Sequence, residues 1–311
     1  MKSIAYFLAI LIGFLAPAAQ ADSDVVVLEV RGGIGVATAE YVISGIQSAE
    51  SSNARLVIIE MDTPGGLVSS TRDIIQKILA SSVPVATYVT PEGARADSAG
   101  TYILLASHLA VMAPTTHIGA ATPVSLGGDD ATPSFPPAPP GEEDPESTGD
   151  EETEQPSPLP GTAMERKVLN DAIAYIRGLA ERHGRNADWA EAAVTEAATL
   201  TAVEALEENV IEFIAPTRAD LIEQANGREV AMTSGPAVLE LENVTVTEYE
   251  ADWRIKILSA IANPEIAQLL GMIGFYGLIY EFLNPGAIFP GVAGVICLLL
   301  AGYALQVPPV N

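Results

Sequence analysis

The chain has 311 residues, with 15 basic against 40 acidic side chains and a formal net charge of −25, enough for one sizeable core and a second unit at roughly 100–200 residues per domain. Binding a polyanion needs clustered Lys and Arg, so this balance excludes a nucleic-acid role. The only cysteine, Cys297, lies in an apolar stretch, which excludes an intrachain disulfide and a cysteine-based metal cluster.

Residues 1–21 carry one lysine near the start, an apolar run and small residues at Ala19 and Ala21, the pattern of a cleaved secretory signal. An uncleaved anchor is the alternative, disfavoured because the apolar core is shorter than the ~20 residues a span needs. The bulk of the protein is therefore expected outside the cytoplasm. From 25 to 121 the sequence alternates β-branched runs with amphipathic stretches: strands over 25–30, 56–61, 83–89 and 109–112, helices over 37–48, 67–79 and 98–108. Such βα alternation predicts a parallel sheet covered by helices, an α/β domain over 24–250.

Residues 125–163 break the pattern, with repeated Pro, Gly and Ser, many carboxylates and no Lys or Arg. That composition predicts a disordered acidic insertion. A helix follows over 164–183, its apolar face formed by Val168, Ala172, Ile173, Ile176, Leu179 and Ala180, and a late strand over 210–214. Residues 264–306 read as a transmembrane helical hairpin: two apolar runs, each near the length that crosses ~30 Å of hydrocarbon, around the turn Asn284-Pro285-Gly286. The glycines at 271, 274, 291 and 294 suit close helix packing. A buried core hairpin is the alternative.

Two small-residue turns carry the chemistry, Asp62-Thr63-Pro64-Gly65-Gly66 and Ala96-Asp97-Ser98-Ala99-Gly100. Each sits where a buried strand hands over to a helix, so each exposes backbone N–H groups, and the second also presents a serine hydroxyl. A nucleophile beside free amides is the outline of an acyl-transfer site. Plainer readings stand beside this one: Ser98 as a helix N-cap, Gly65 and Gly66 as a tight turn, Asp62 as a turn former, and Asp97 as a helix-start charge.

A serine needs a base. Of three histidines, His108 lies about 15 Å along the helix from Ser98 and His183 ends a helix in a charged run, which leaves His117. Of four lysines, Lys2 is in the signal, Lys256 borders the membrane segment and Lys77 falls on a polar helix face, which leaves Lys167. A desolvated lysine serves as a general base. In a regular helix, however, Lys167 projects away from the apolar face into solvent. The catalytic reading requires it at a frayed helix start, or covered by another subunit or by the acidic insertion.

These motifs, together with Lys167-Val168-Leu169-Asn170-Asp171-Ala172, Leu200-Thr201-Ala202-Val203-Glu204-Ala205-Leu206 and Asn284-Pro285-Gly286-Ala287-Ile288-Phe289-Pro290-Gly291, resemble the NfeD-like membrane-bound serine proteases, stomatin-operon partners of the ClpP class. The resemblance implies a ClpP/crotonase-like fold with a Ser-Lys dyad at Ser98 and Lys167. It places oxyanion donors on the amides of Gly65 or Gly66 and Ala99, and needs no cofactor or metal. It further implies a homo-oligomeric endopeptidase in the cell membrane, its protease domain on the extracytoplasmic (periplasmic) side. The expected targets are apolar, membrane-proximal segments of stomatin-like or other membrane proteins. Two departures stand out: Asp97 before the nucleophile, where a carboxylate would hold the lysine protonated, and the long acidic insertion. The rival readings are a catalytically silent scaffold that binds a stomatin-like membrane partner and, more weakly, a crotonase-like acyl-CoA enzyme.

Overall fold

The computed structural model describes residues 24–123, 163–262, 264–284 and 288–304. The expected signal and all of the acidic insertion except Ala163 lie outside the described residues. The first half runs β1 (Val25–Arg31), α1 (Val36–Ser51), β2 (Leu56–Asp62), α2 (Val68–Ala80), β3 (Val85–Val89), β4 (Arg95–Asp97), α3 (Ala99–Ala106), β5 (Leu109–Met112) and β6 (His117–Gly119). The second half runs α4 (Ala163–Arg182), α5 (Ala187–Thr195), β7 (Thr199–Thr201), α6 (Ala202–Glu207), β8 (Phe213–Ile214) and α7 (Arg218–Ala225). It ends with β9 (Glu229–Met232), β10 (Gly235–Val238), β11 (Val246–Glu248), α8 (Trp253–Ala262), α9 (Pro264–Leu283) and α10 (Ile288–Ala304).

The β-branched runs are continuous because both faces of the main sheet are covered. Its six strands, in the order β11-β1-β2-β3-β5-β8, pair in parallel throughout. Along β2, Val57, Ile59 and Met61 point to the face covered by α1, α2 and α3, meeting Ile46, Ile75 and Ile103. Leu56 and Ile58 point to the other face and join Tyr88, Leu109 and Leu221. The period of two thus serves two cores.

The late strand is shorter than its sequence suggests. The amides of Val210 and Ile211 both donate to the Ala205 carbonyl at the end of α6, so pairing with β5 starts only at Phe213. The helix expected over 98–108 stops at Ala106 for a similar local reason: the Ser107 amide bonds back to the Leu104 carbonyl, and the chain turns into β5. Beyond that end sits a buried guanidinium. Arg185 donates to the Leu104 and Leu105 carbonyls at 3.2 and 2.8 Å and to both oxygens of Glu212 at 2.9 and 3.0 Å, while Glu212 also accepts from the Ala110 amide.

At the C-terminal end α9 and α10 pack as the expected hairpin. Contact is close because glycines face backbone: a Cβ at Gly277 would stand 2.7 Å from the Pro290 carbonyl oxygen, and one at Gly294 2.8 Å from that of Gly274. Among the described residues one helix, over Ile266–Leu283, is long and apolar enough to cross a membrane. The apolar run of α10, Phe289–Gly302, is shorter among the described residues, and the expected second run extends beyond them at both ends.

Candidate active site

Ser98 sits between β4 and α3 with φ +50° and ψ −111°, a left-handed backbone that a residue with a Cβ adopts only under constraint. The constraint is visible. Its amide donates to the Gly119 carbonyl at 2.9 Å, and the Thr101 hydroxyl lies 2.9 Å from both the Ala96 and Gly119 carbonyls, binding the turn to β6. Although Ser98 occupies the N-cap position of α3, its side chain makes no capping hydrogen bond. The hydroxyl is therefore not used by the helix it precedes.

The glycine turn is clamped beside it. Thr63 pairs with β4 through its amide to Arg95 and its carbonyl from Asp97, at 2.8 and 3.0 Å; Gly65 and Leu67 flank Ile34 in the same manner, at 2.9 and 2.8 Å. A Cβ on Gly65 would fall 2.8 Å from that of Ser98 and one on Gly66 2.1 Å from the Ile34 carbonyl oxygen, so neither position has room for a side chain. The Gly65 amide is engaged by the Thr63 hydroxyl at 3.1 Å. The amides of Gly66 and Ala99, the latter at the first position of α3, have no acceptor among the described residues.

Ser98, Ala99 and Gly66 line a cavity of about 90 Å³ that α2 and α4 close with Val68, Thr71, Val168, Ala172 and Tyr175. Tyr102 and Tyr175 stack at 6.1 Å between ring centroids, the Arg72 guanidinium lies 4.6 Å over the Tyr175 ring, and Arg72 pairs with Asp171. Burial pushes the Tyr102 phenol up to about 12, so it stays neutral. Sequence reasoning missed Arg72, Tyr102, Asp171 and Tyr175 as cleft residues. The spacing of Val168, Asp171, Ala172 and Tyr175 (i, i+3, i+4, i+7) is the signal that was available.

Lys167 stands on the first turns of α4, exposed and outside the cavity lining, one residue before Val168. The structure thus brings Ser98, Gly65, Gly66 and Ala99 together and leaves Lys167 at the flank. Asp97 meets Arg95 Nη1 at 3.4 Å and His117 Nε2 at 3.5 Å. Burial raises its carboxyl, and the charges of His117 and Arg95 oppose that rise. Among the described residues the ion partners of Asp97 are thus Arg95 and His117. His183, which ends a helix in a charged run, is partly buried edge-on to His108 at 5.8 Å, its Nε2 3.2 Å from the Ala106 carbonyl. Desolvation, aided by nearby arginines, pushes His108 down to about 4 and His183 to about 3.

Comparison with known proteins agrees with this architecture. Residues 24–135 match "NfeD1b, N-terminal domain" and 265–311 the NfeD integral membrane domain. The 1510-N membrane-bound stomatin-specific protease, solved as a lysine-to-alanine variant in complex with a substrate peptide, is 36% identical with a TM-score of 0.62, covering 78% of this chain and 98% of that one. The chain belongs to the NfeD family. A serine-to-alanine variant of 1510-N gives 35% identity and a TM-score of 0.61, covering 75% of this chain and 100% of that one. Among curated NfeD-family relatives, the membrane-bound protease PH1510 of Pyrococcus horikoshii is 37% identical across 97% of this chain and 62% of its own length. The membrane protein NfeD1b of Bacillus subtilis is 27% identical across 96% of this chain and 60% of its own. The chain therefore spans under two thirds of the length of either relative. Its extramembrane part has the ClpP-like α/β fold of the 1510-N structures, and its NfeD membrane domain makes it a membrane protein.

Proposed function

We propose that this NfeD-family chain is a membrane-anchored serine endopeptidase with Ser98 as nucleophile and Lys167 as base. The observation that carries the reading is the Ser98 hydroxyl, held on a strained turn, unused as a cap, and facing an apolar cleft beside two free amides. Ser98 Oγ adds to the peptide carbonyl carbon as its proton passes to Lys167 Nζ, and the carbonyl oxygen takes up negative charge between the Gly66 and Ala99 N–H groups. Gly65 supplies the space. Collapse of that adduct breaks the C–N bond, the amine leaves with the proton from Nζ, and water then hydrolyses the Ser98 ester with the same lysine as base.

An amine acts as a base only when desolvated, and Lys167 is exposed. A peptide lying along the cleft against Val168 and Asp171 would cover the start of α4 and supply that desolvation. The 1510-N variants, one at a serine and one at a lysine with substrate peptide present, support this pairing. The apolar cleft and the stomatin specificity of 1510-N support apolar, membrane-proximal segments of a stomatin-like protein as substrate. The active unit is a homo-oligomer with its protease domain on the extracytoplasmic side. The exposure of Lys167 favours one rival, a silent scaffold that binds a stomatin-like partner.

The test is turnover of an apolar stomatin-like peptide by the full chain in a bilayer. Ser98→Ala and Lys167→Ala each abolish turnover with the fold intact, and His117→Ala retains it. Turnover that survives Lys167→Ala and vanishes in His117→Ala would reassign the base, and an inactive native chain would select the scaffold.

A further inference from the structure

Between the ClpP-like domain and the hairpin runs α8, ten residues long, packed against α1, α9 and α10. At about 100° per residue, Lys256, Trp253, Ile257 and Arg254 fan in that order across one side of the helix, and Ile255 falls opposite. Burial follows this wheel: Ile255 is 6% exposed, Trp253 63% and Ile257 51%. The outer side of α8 is therefore an indole and an aliphatic chain set next to each other, with a cation at each margin.

Such a stripe is poorly matched to water and well matched to the boundary of a bilayer, where Trp sits at headgroup level and long cations reach back to phosphates. The location agrees. The candidate span begins at Ile266, just past the end of α8, so α8 lies where the chain enters the membrane segment. Charge agrees as well: Arg254 and Lys256 are the only basic residues from 229 to 311. The Arg254 guanidinium lies 5.5 Å over the Trp253 ring, and Lys256 is shared with Glu250 at 3.4 Å.

We propose that α8 lies in the phospholipid headgroup layer of the membrane that holds the hairpin, with Trp253 and Ile257 at the acyl boundary and Arg254 on a lipid phosphate. The helix then moors the extramembrane domain at a fixed height through its packing on α1. This holds whether or not Ser98 is catalytic.

The experiment uses the full chain reconstituted in vesicles of phosphatidylcholine and phosphatidylglycerol carrying brominated acyl chains, with tryptophan fluorescence as the readout. Trp189, the other tryptophan, is 6% exposed within the domain, so quenching by lipid reports Trp253, and the Trp253→Phe variant removes that signal as a check. Bromines placed near the headgroup should quench Trp253 strongly, deeper bromines less, and aqueous iodide little. Arg254→Gln together with Lys256→Gln should shift quenching from lipid toward iodide. Quenching by iodide alone would place α8 in water and overturn the proposal. Insensitivity to both quenchers would mean that protein covers the face, and would overturn it equally.

Discussion

Replacing Ser98 by glycine and, separately, by alanine isolates the backbone strain at the nucleophile position. Both variants lose the hydroxyl, so the difference between them reports the Cβ at φ +50°, ψ −111°. A residue with a Cβ held in such a conformation costs about 1–3 kcal/mol, and glycine is relieved of that strain. Glycine loses about 0.4–1 kcal/mol in return, because its unfolded chain is freer. Little packing is lost with the Cβ, since its close neighbour is Gly65, which offers no side chain. The balance leaves Ser98→Gly more stable than Ser98→Ala by about 0.5–2 kcal/mol, or roughly 1–8 °C in Tm at 2–4 °C per kcal/mol for a domain of this size. Thermal unfolding of the full chain in detergent, followed by near-UV circular dichroism, reads the difference. A glycine variant no more stable than the alanine one would refute the strain argument and return Ser98 to the status of a relaxed helix start.

Three further outcomes follow from other parts of the structure. If the proposed peptidase activity holds, Tyr175→Ala removes part of the cavity wall beside Ser98 and should shift its preference from aliphatic toward aromatic side chains by about tenfold or more in kcat/KM; an unchanged ranking across a peptide series would show that the cavity does not hold the side chain. His108 is neutral in the fold, down to about 4 against about 6.5 unfolded. Its stabilisation is complete above the unfolded value and is lost as pH falls from there toward the folded one. From pH 7 to 5 the native chain should therefore lose about 2 kcal/mol more than His108→Gln in urea unfolding, and parallel pH profiles would contradict this. Gly294→Val drives a side chain into the Gly274 backbone and should separate α9 from α10, read as a longer distance between spin labels on the two helices; an unchanged distance would count against glycine packing.

The parallel sheet and its helices were legible in the sequence because long β-branched runs and amphipathic stretches each carry their own period. The strands that build the site were not. β4, β6 and β7 have three residues each, too few for any periodicity, and they exist because Thr63, Arg95 and Gly119 exchange backbone hydrogen bonds with partners far along the chain. Ser98 and the two glycines were legible as turn residues, whereas their juxtaposition depends on that small sheet. The direction of Asp97 was hidden for the same reason, since its partner His117 becomes a neighbour only through the β4–β6 pairing. The burial of His183 was hidden too, since it lies in a charged run whose Arg185 is buried on Glu212.

The Arg185 guanidinium gives the two halves of the site different lifetimes. Removing it would take the cation from the Glu212 carboxylate and the guanidinium bonds from the Leu104 and Leu105 carbonyls, a loss on the order of 3–5 kcal/mol, so the far end of α3 is firmly fastened. Amides of this helix should exchange with deuterated water only through global opening, while the first turns of α4, exposed around Lys167, exchange through local fraying. On the proposed mechanism, an incoming chain would thus meet an attacking group already set in place and a proton acceptor still free to settle around it. Under the proposed mechanism, the beginning of α4 would set the timing of the reaction.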